Sequence, residues 1–399
     1  MVVRVYLKQA WNLMKQNPLF STLYIVGTGI SIVMTMVIAI VYYVRLAPVY
    51  PETNRMRTLV VKSAKMTNDE STHSSNISYA MLKDWFYSLE SAEVSTGVSG
   101  TSYARVTNDK EEIPTYARYT DENFFRVFPL VFLEGKPFTE ADRRSGIHNV
   151  VLTDSYAQQL FGTTKGVVGK NFLMDYTNVK VVGVVKSGSF LTPDSYAQVY
   201  LPYSCRDGYD DEGSHWALGG YRVYILMKES KSVTDVQDEV LELVRKFNVS
   251  DMGDGWKLDL VGQPELYWHS TFRLWSNVAV DWGRVIWMFV GIFMVLLFVP
   301  AFNLSGMISA RMERQLPDLG IRKAFGASRR RLLVQIIWEN LLLTGLGTLL
   351  GLVIAWIVLA LSGYEIFSLF EVFPKFPPKG VNLGMGIDMF FAPLIFVAA

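Results

Sequence analysis

Residues 318–333, which read DLGIRKAFGASRRRLL, decide how the chain is organised, because they are basic and lie between two long apolar runs. The run before them has no charged residue between Arg284 and Arg311, and the run after them has none between Glu339 and Glu365. At about 1.5 Å per helical residue, each run exceeds the roughly 30 Å hydrocarbon core of a bilayer. The stretch is therefore predicted to be a polar turn between two membrane-spanning helices.

Two further apolar runs extend this prediction. One lies between Lys15 and Arg45, and the other begins at Met389 and stops at Ala399. The first is long enough to span a bilayer and too long for the ~7–15-residue apolar part of a cleavable signal sequence. With 50% hydrophobic residues and a mean hydropathy of +0.21, we expect four spans, of which the last is incomplete in this sequence.

The distribution of charge predicts the orientation of these spans. Residues 311–331 carry seven basic and two acidic side chains, and residues 1–16 carry three basic and none acidic. Residues 46–283, in contrast, carry 24 basic and 31 acidic side chains. Because cytoplasmic loops are enriched in Lys and Arg, the N-terminus and 311–331 are predicted to be cytoplasmic and 46–283 external.

These patterns give a predicted domain organisation. It comprises a cytoplasmic amphipathic helix at 1–18, spans at 19–44, 284–310 and 335–361, an outer domain at 45–283, a cytoplasmic helix and loop at 311–334, an outer loop at 362–386 and the start of a fourth span at 387–399.

The outer segment contains two strand–helix–strand patterns that are far apart in sequence. The first covers 57–63, 79–90 and 93–106; the second covers 221–228, 232–247 and 256–262, and its helix opens with a capping box at Ser232 and Asp235. Between them, about 120–219 is rich in strands. The predicted fold is an α-helical transmembrane bundle with an α+β outer domain of two lobes, a split βαβ lobe and an inserted β-rich lobe.

The basic stretch itself is predicted to form a helix, a break and a second helix. Pro317 suits the first turn of the first helix, with Asp318 at its positive end and Arg322 and Lys323 at its negative end. Gly326 then fits a left-handed C-terminal stop.

The second helix is predicted to begin after an N-cap at Ser328 and to continue through Arg329 and Arg330. The first helix has an apolar surface that it cannot bury alone, formed by Leu319, Ile321, Ala324 and Phe325. From the residues alone, anionic lipid and the groove of a cytoplasmic protein are equally good partners for that surface.

Small residues recur at four-residue spacing in two spans, a pattern that lets helices approach closely. They are Gly27, Ser31, Thr35 and Ala39 in the first span and Gly347, Gly351 and Ala355 in the third. Packing within the chain and contact with a second copy are equally compatible with them. Asn303 in the second span is expected to make an interhelical hydrogen bond.

The sequence offers little for catalysis or metal binding. Its four histidines are widely spaced, the acidic turn near Asp207 lacks a calcium-loop pattern, and Cys205 is the only cysteine. The glycine-rich segment 162–170 does not have Walker spacing. No catalytic residue, metal site, bound cofactor or nucleic-acid partner is therefore predicted.

Residues 309–352, SARMERQLPDLGIRKAFGASRRRLLVQIIWENLLLTGLGTLLGL, resemble the C-terminal core of the FtsX-like ABC permeases. The outer segment is similar to the periplasmic domain of the MacB-like branch in NVVLTDSYAQQLFGTTKGVVGKNF, VKVVGVVKSGSF and VYLPYS, in that order. Asp318, Leu319 and Phe325 stand where the family usually has Glu, Ile and Leu.

The resemblance implies a subunit of a bacterial inner-membrane transporter that works by mechanotransmission. It implies a second permease copy, identical or related, and a cytoplasmic ABC ATPase that binds ATP and Mg²⁺; the short segment before the first span suggests that this ATPase is a separate chain. Residues 318–330 would be its docking helix and turn.

The outputs implied by the resemblance are export through a periplasmic adaptor and an outer-membrane factor, lipoprotein release, and activation of a cell-wall hydrolase. A membrane-anchored sensor or hydrolase-regulating scaffold without transport is the alternative from another class.

Overall fold

We analysed a computed structural model, which describes residues 11, 15, 18–100, 102–108, 111–189, 191–210, 216–250, 255–326, 328–368 and 391. Of these, the residues up to 43 and from 282 onward belong to a helical unit, and those in 44–281 form a second compact unit.

The helices are α1 (Pro18–Leu46), α2 (Tyr79–Asp84), α3 (Phe124–Val127), α4 (Glu140–Arg144), α5 (Asp154–Phe161), α6 (Val233–Val249), α7 (Trp282–Ala324) and α8 (Arg329–Ser368). The strands are β1 (Thr58–Val61), β2 (Ala64–Thr67), β3 (Thr72–Ile77), β4 (Ala92–Ser99), β5 (Ser102–Asn108), β6 (Glu111–Thr120), β7 (Phe132–Gly135), β8 (Asn149–Thr153), β9 (Asn171–Met174), β10 (Thr177–Val185), β11 (Val199–Pro202), β12 (Leu218–Gly219), β13 (Tyr221–Met227), β14 (Lys257–Asp259) and β15 (Glu265–Leu266).

Three helices of the first unit carry the long apolar runs. Within the described residues, Ser21–Leu46 and Leu332–Gly363 are long and apolar enough to cross a membrane, and Trp282–Phe298 is a shorter apolar helix. The expected fourth span and most of the expected N-terminal helix lie outside the described residues. Of the latter, Trp11 and Lys15 are helical, with the Lys15 ammonium 5.7 Å from the Trp11 ring.

The second span and the basic helix that follows it form one continuous helix. The sequence predicted a new helix near Pro317, but α7 runs without interruption from Trp282 to Ala324. The six residues before the proline, RMERQL, are all strong helix formers, so the chain has no breaker there and accommodates Pro317 inside the helix. At about 1.5 Å per residue, α7 is roughly 65 Å long, about twice the hydrocarbon thickness.

Helices α1 and α8 pack closely through glycines. A Cβ atom on Gly347 would lie 2.7 Å from the Thr28 Cβ, and one on Gly351 would lie 2.6 Å from the Gly29 carbonyl oxygen. The Tyr24 and Thr344 hydroxyls are 3.0 Å apart at the same interface. Partner numbers rise together along both helices, so α1 and α8 run in the same direction.

Helix α7 begins beside the C-terminal end of α1. The Tyr42 ring, near the C-terminal end of α1, lies 4.9 Å from the Phe289 ring, near the start of α7. The turn between α7 and α8 lies at the other end of α7 from this contact.

The outer domain begins with an eight-stranded sheet in the order β14-β2-β3-β13-β1-β15, with β12 on β3 and β4 on β13. Strands β1 and β4 are both antiparallel to β13, so β1-α2-β4 is a split βαβ unit. The capping box predicted at Ser232 and Asp235 is present at the start of α6. Side chains alternate: Leu59 and Val61 face the helices, whereas Val60 faces the second sheet.

A seven-stranded sheet, β7-β10-β8-β11-β6-β5-β9, forms the inserted lobe. It begins at Ser102, earlier than the predicted start near 120, and its last strand ends at Pro202. The difference arises because β5 leaves β4 and forms a hairpin with β6. Local strand propensity does not reveal which sheet a strand joins.

Buried side chains from both sheets form one shared core, which includes Val98, Tyr224, Val151 and Tyr200. Asp121 reinforces the junction at the end of β6. Its carboxylate accepts hydrogen bonds from the Thr96 hydroxyl at 2.7 Å and the Gly97 amide at 2.9 Å, both on β4. The two lobes are therefore joined by packing and by a buried polar bridge.

The close approach of α1 and α8 predicts that Gly351→Ile destabilises the helical unit, because its new Cβ would meet backbone that cannot move aside. We expect a loss of about 1–3 kcal/mol, typical of overpacking, seen as a lower thermal unfolding temperature in detergent. Gly345→Ile is the matched control, since a Cβ there meets nothing within 4 Å. Equal effects of the two substitutions would contradict this packing.

Candidate functional site

The turn between α7 and α8 is the first candidate site. Helix α7 ends at Ala324, and Gly326 has φ +86°, a left-handed conformation that favours glycine. The Gly326 amide donates to the Lys323 carbonyl at 3.0 Å, which closes the helix end. Ser328 directly precedes α8 and accepts the Leu332 amide at its carbonyl, at 3.2 Å. The predicted stop and restart are both present.

The end of α7 exposes a basic and apolar surface. Ile321 is 57% exposed and Phe325 is 88% exposed. The Phe325 amide donates to the Ile321 carbonyl at 3.1 Å, so the two side chains lie one turn apart on the same face. Exposed Lys323 and Ala324 lie between them, and exposed Arg329 and Arg330 follow the turn. The side chains of Asp318, Leu319 and Arg322 lie outside the described part.

The predicted small-residue stripes have different surroundings. Gly347, Gly351 and Ala355 are buried, and both glycines lie against α1. The stripe of Gly27, Ser31, Thr35 and Ala39 is not on the α1 face that contacts them: Thr35 is exposed and the other three are half-buried. Asn303 is on α7, and its side chain lies outside the described part.

A second candidate site lies where α1 enters the outer domain. We define the exit cluster as Glu52, Arg55, Asp194, Ser195 and Tyr267. Within it, the buried Arg55 guanidinium donates to the Val44 carbonyl at 2.5 Å and to the Ala47 carbonyl at 2.9 Å. Since the last carbonyls of a helix have no partner within it, Arg55 caps the C-terminal end of α1.

Other members of the exit cluster hold Arg55 in place. It forms a buried ion pair with Glu52, whose other carboxylate oxygen accepts the Ser195 hydroxyl at 2.8 Å. The guanidinium also lies 5.3 Å from the Tyr267 ring, within cation–π distance. Because Ser195 belongs to the loop between β10 and β11, the inserted lobe is connected to the end of α1.

The adjoining Asp194 connects this loop to the first sheet. Its carboxylate lies 2.8 Å from the Arg222 guanidinium on β13 and 3.6 Å from the Lys62 ammonium after β1. Burial raises the pKa of the Asp194 carboxyl, but Lys62, Arg222 and Arg118 outweigh burial and hold that pKa well below its usual range. Asp194 is therefore charged and paired under all ordinary conditions.

The exit cluster was not found from the sequence. Its five members come from three separated segments and follow no spacing rule, so only the fold brings them together. The one sequence signal is weak: Glu52 and Arg55 are charged residues that closely follow a span.

Metal-binding side chains and the single cysteine are the remaining groups with possible chemistry in the described part of the chain. Among the described residues, no group of three or more His, Cys, Asp or Glu side chains could hold a metal ion. The Cys205 thiol contacts the Ile147 carbonyl at 3.6 Å, and burial raises the pKa of this thiol to about 12. Such a thiol is a poor nucleophile near neutral pH.

These features define a helical membrane protein with a large outer domain of two sheets. Residues 20–243 match the model of the MacB-like periplasmic core domain, and residues 277–399 match that of the FtsX-like permease C-terminal region. The chain belongs to this family, the ABC transporter permeases of the MacB and FtsX type.

The curated relatives include the macrolide export ATP-binding/permease protein MacB of Escherichia coli O157:H7. It is 22% identical over 268 residues, which cover 66% of this chain and 39% of that protein. MacB of Shigella boydii serotype 4 has the same identity and coverage. The chain thus matches about two fifths of the length of these relatives.

Solved structures of similar fold include the periplasmic region of MacB from Actinobacillus actinomycetemcomitans, with 16% identity, a TM-score of 0.36, and coverage of 50% of this chain and 88% of that one. A domain of a putative permease protein from Porphyromonas gingivalis has 16% identity, a TM-score of 0.35, and coverage of 51% and 89%.

The paired charges around Asp194 predict a dependence of stability on pH. Because the pKa of Asp194 is lower in the folded than in the unfolded state, its stabilisation is complete above about pH 4 and is lost as the pH falls further. Asp194→Asn should lower the free energy of unfolding at pH 7 by about 3 kcal/mol. Denaturant titrations of the detergent-solubilised protein at pH 7 and pH 3 measure this.

Asp207→Asn, at an exposed turn, is the control and should change stability by less than about 0.5 kcal/mol. An Asp194→Asn protein as stable as the original at pH 7 would contradict the assignment of the ion pairs.

Proposed function

We propose that the chain couples ATP hydrolysis by an ABC ATPase on a partner chain to movement of its periplasmic domain, and that this movement exports or releases a substrate at the periplasmic side of the inner membrane. In this proposal the N-terminus and the turn at 318–330 face the cytoplasm. ATP and Mg²⁺ are bound by the partner.

The observation that carries the proposal is the exposed face of Ile321 and Phe325 at the end of α7. Leaving two large apolar side chains in water is unfavourable, and burying each contributes roughly 1.5–3 kcal/mol. The exposed basic side chains around them, Lys323, Arg329 and Arg330, suit an acidic rim around an apolar groove. A helix end of this kind fits a groove on a cytoplasmic partner.

The continuity of α7 supports transmission across the membrane. One hydrogen-bonded helix joins Phe325 at the turn to Trp282, the residue that directly follows the outer domain. A separate docking helix linked by a loop would lose displacement at the loop. An unbroken helix passes on axial and rotational displacement instead.

The exit cluster supports the same route at the periplasmic side. Arg55 ties the last turn of α1 to Glu52, and through Ser195 to the inserted lobe. We infer that a displacement of α1 is passed to both lobes together, since the two sheets share a core.

A second permease copy completes the proposal. The stripe of Gly27, Ser31, Thr35 and Ala39 is not used against α8, and its hydroxyls are satisfied within α1. Ser31 donates to the Gly27 carbonyl at 3.0 Å and Thr35 to the Ser31 carbonyl at 2.9 Å. Such a surface of small residues without unpaired polar groups suits close contact with another helix. A periplasmic adaptor and an outer-membrane factor would belong to the export form of this function.

Phe325→Asp tests the docking surface, because it replaces the most exposed apolar side chain at the turn with an acid that a groove would have to desolvate. We expect the cognate ATPase to be lost from the purified complex, together with its stimulated activity, while the variant still folds and inserts. Co-purification from membranes and ATPase assays on reconstituted protein measure both effects.

Phe325→Leu is the matched control, because it keeps an apolar side chain on the same face and should retain the partner. Full retention of the ATPase by Phe325→Asp would reject this surface. Unchanged ATPase binding with an altered affinity for anionic vesicles would instead favour a lipid-binding anchor without transport.

A further inference from the structure

The segment before α7 exposes an apolar surface that the proposed function does not use. Residues 274–280 read LWSNVAV and contain no charged side chain. Leu274 is 63% exposed and Trp275 is 68% exposed, and Val278 is also exposed. Three such side chains side by side in one loop are unusual for a surface in water.

Hydrogen bonds to the outer domain hold this segment in a defined shape. The Arg273 guanidinium donates to the Val278 carbonyl at 2.7 Å and to the Val261 carbonyl at 2.9 Å. The Ser63 hydroxyl donates to the Ser276 carbonyl at 2.9 Å, and the Val278 amide donates to the Trp275 carbonyl at 3.1 Å. The backbone is therefore fixed while the apolar side chains point away from it.

Arg273 is itself anchored by a buried ion pair with Glu265 on β15. Its charge therefore faces the domain, whereas the exposed side chains of the segment are all uncharged: Leu274, Trp275, Ser276, Asn277, Val278 and Ala279. The backbone of the segment is thus paired with the domain, and no residue that the structure describes covers Leu274, Trp275 or Val278.

The level of the segment relative to the bilayer follows from its two ends. On one side, the Arg45 guanidinium at the end of α1 contacts the Thr271 carbonyl at 3.4 Å, three residues before Leu274. On the other side, the apolar helix α7 begins at Trp282. Both ends thus lie where a predicted span leaves the bilayer, which is the depth that tryptophan prefers.

We propose that residues 274–278 insert into the outer leaflet, with Leu274 and Trp275 at the boundary between headgroups and acyl chains. The occupant of this surface is the lipid of the membrane that holds the chain. The proposal needs no ATPase, so it can fail while the proposed function holds, and the reverse is also true.

A nitroxide at Leu274→Cys in a Cys205→Ser background tests the depth directly. The full chain is reconstituted in vesicles of phosphatidylcholine and phosphatidylglycerol, and collisions of the label with oxygen and with a water-soluble nickel chelate are measured by power saturation. We expect frequent collisions with oxygen and a loss of most collisions with nickel.

Tyr176→Cys is the matched control. This aromatic residue is 85% exposed, lies in the turn between β9 and β10, and is far in sequence from every predicted span. Its label should therefore collide freely with nickel. Equal nickel collisions at both positions would overturn the proposal. Protection of the label at position 274 from both oxygen and nickel would also overturn it, because it would show that protein, such as a second copy, covers this surface.

A second measurement avoids the label. Brominated phosphatidylcholine quenches tryptophan emission in the bilayer, and Trp275→Phe should remove part of the quenchable emission. Trp216→Phe, which removes a ring stacked 5.5 Å from Phe247 in the domain core, should leave the quenchable part unchanged. An equally quenchable Trp275→Phe protein would contradict insertion.

Discussion

The capping of α1 by Arg55 is the interaction on which the connection between span and outer domain depends. The last carbonyls of a membrane helix face a region with little water, and each one left unpaired is costly. Arg55 pairs with two of these carbonyls, and Glu52 neutralises its charge at the same place. Removing either Arg55 or Glu52 would leave the other charge buried and unpaired, which typically lowers the free energy of unfolding by about 3–5 kcal/mol. The end of α1 and the domain are thus joined by a contact that is stable only when Arg55, Glu52 and the two helix carbonyls are all present.

Around this contact the two sheets of the outer domain form one compact unit. Ser195 and Asp194 extend from the inserted lobe to Glu52 and to the first sheet, and Asp121 bridges the sheets at another point. The shared core fills the space between these polar contacts. Helix α7 runs without a break from Trp282 to Ala324, and Ile321 and Phe325 are exposed near its end. The proposed transmission of displacement depends on this continuity.

Much of the fold and part of the candidate site could be predicted from local sequence. The rest could not, because it depends on contacts between distant segments. Apolar length predicted the long helices α1, α7 and α8. Gly326 and Ser328 predicted the turn, because left-handed backbone and N-caps select their residues locally. The predicted helix start at Pro317 was wrong, because the strong helix formers before this proline continue α7 through it. The start of the inserted lobe and the exit cluster depend on pairing between distant segments, for which Arg55 or β5 alone gives no signal.

The most direct test of coupling measures whether ATP moves the outer domain through Arg55. A nitroxide at Tyr176→Cys in a Cys205→Ser background reports the distance between two copies by pulsed electron resonance, in nanodiscs that contain the ATPase. We predict that ATP shifts this distance in the original protein and in Arg57→Gln, whose ion pairs with Glu93 and Glu229 are at the surface. Arg55→Gln should keep the ATPase bound but lose the shift. An unchanged shift in Arg55→Gln, or none in the original protein, would contradict the account.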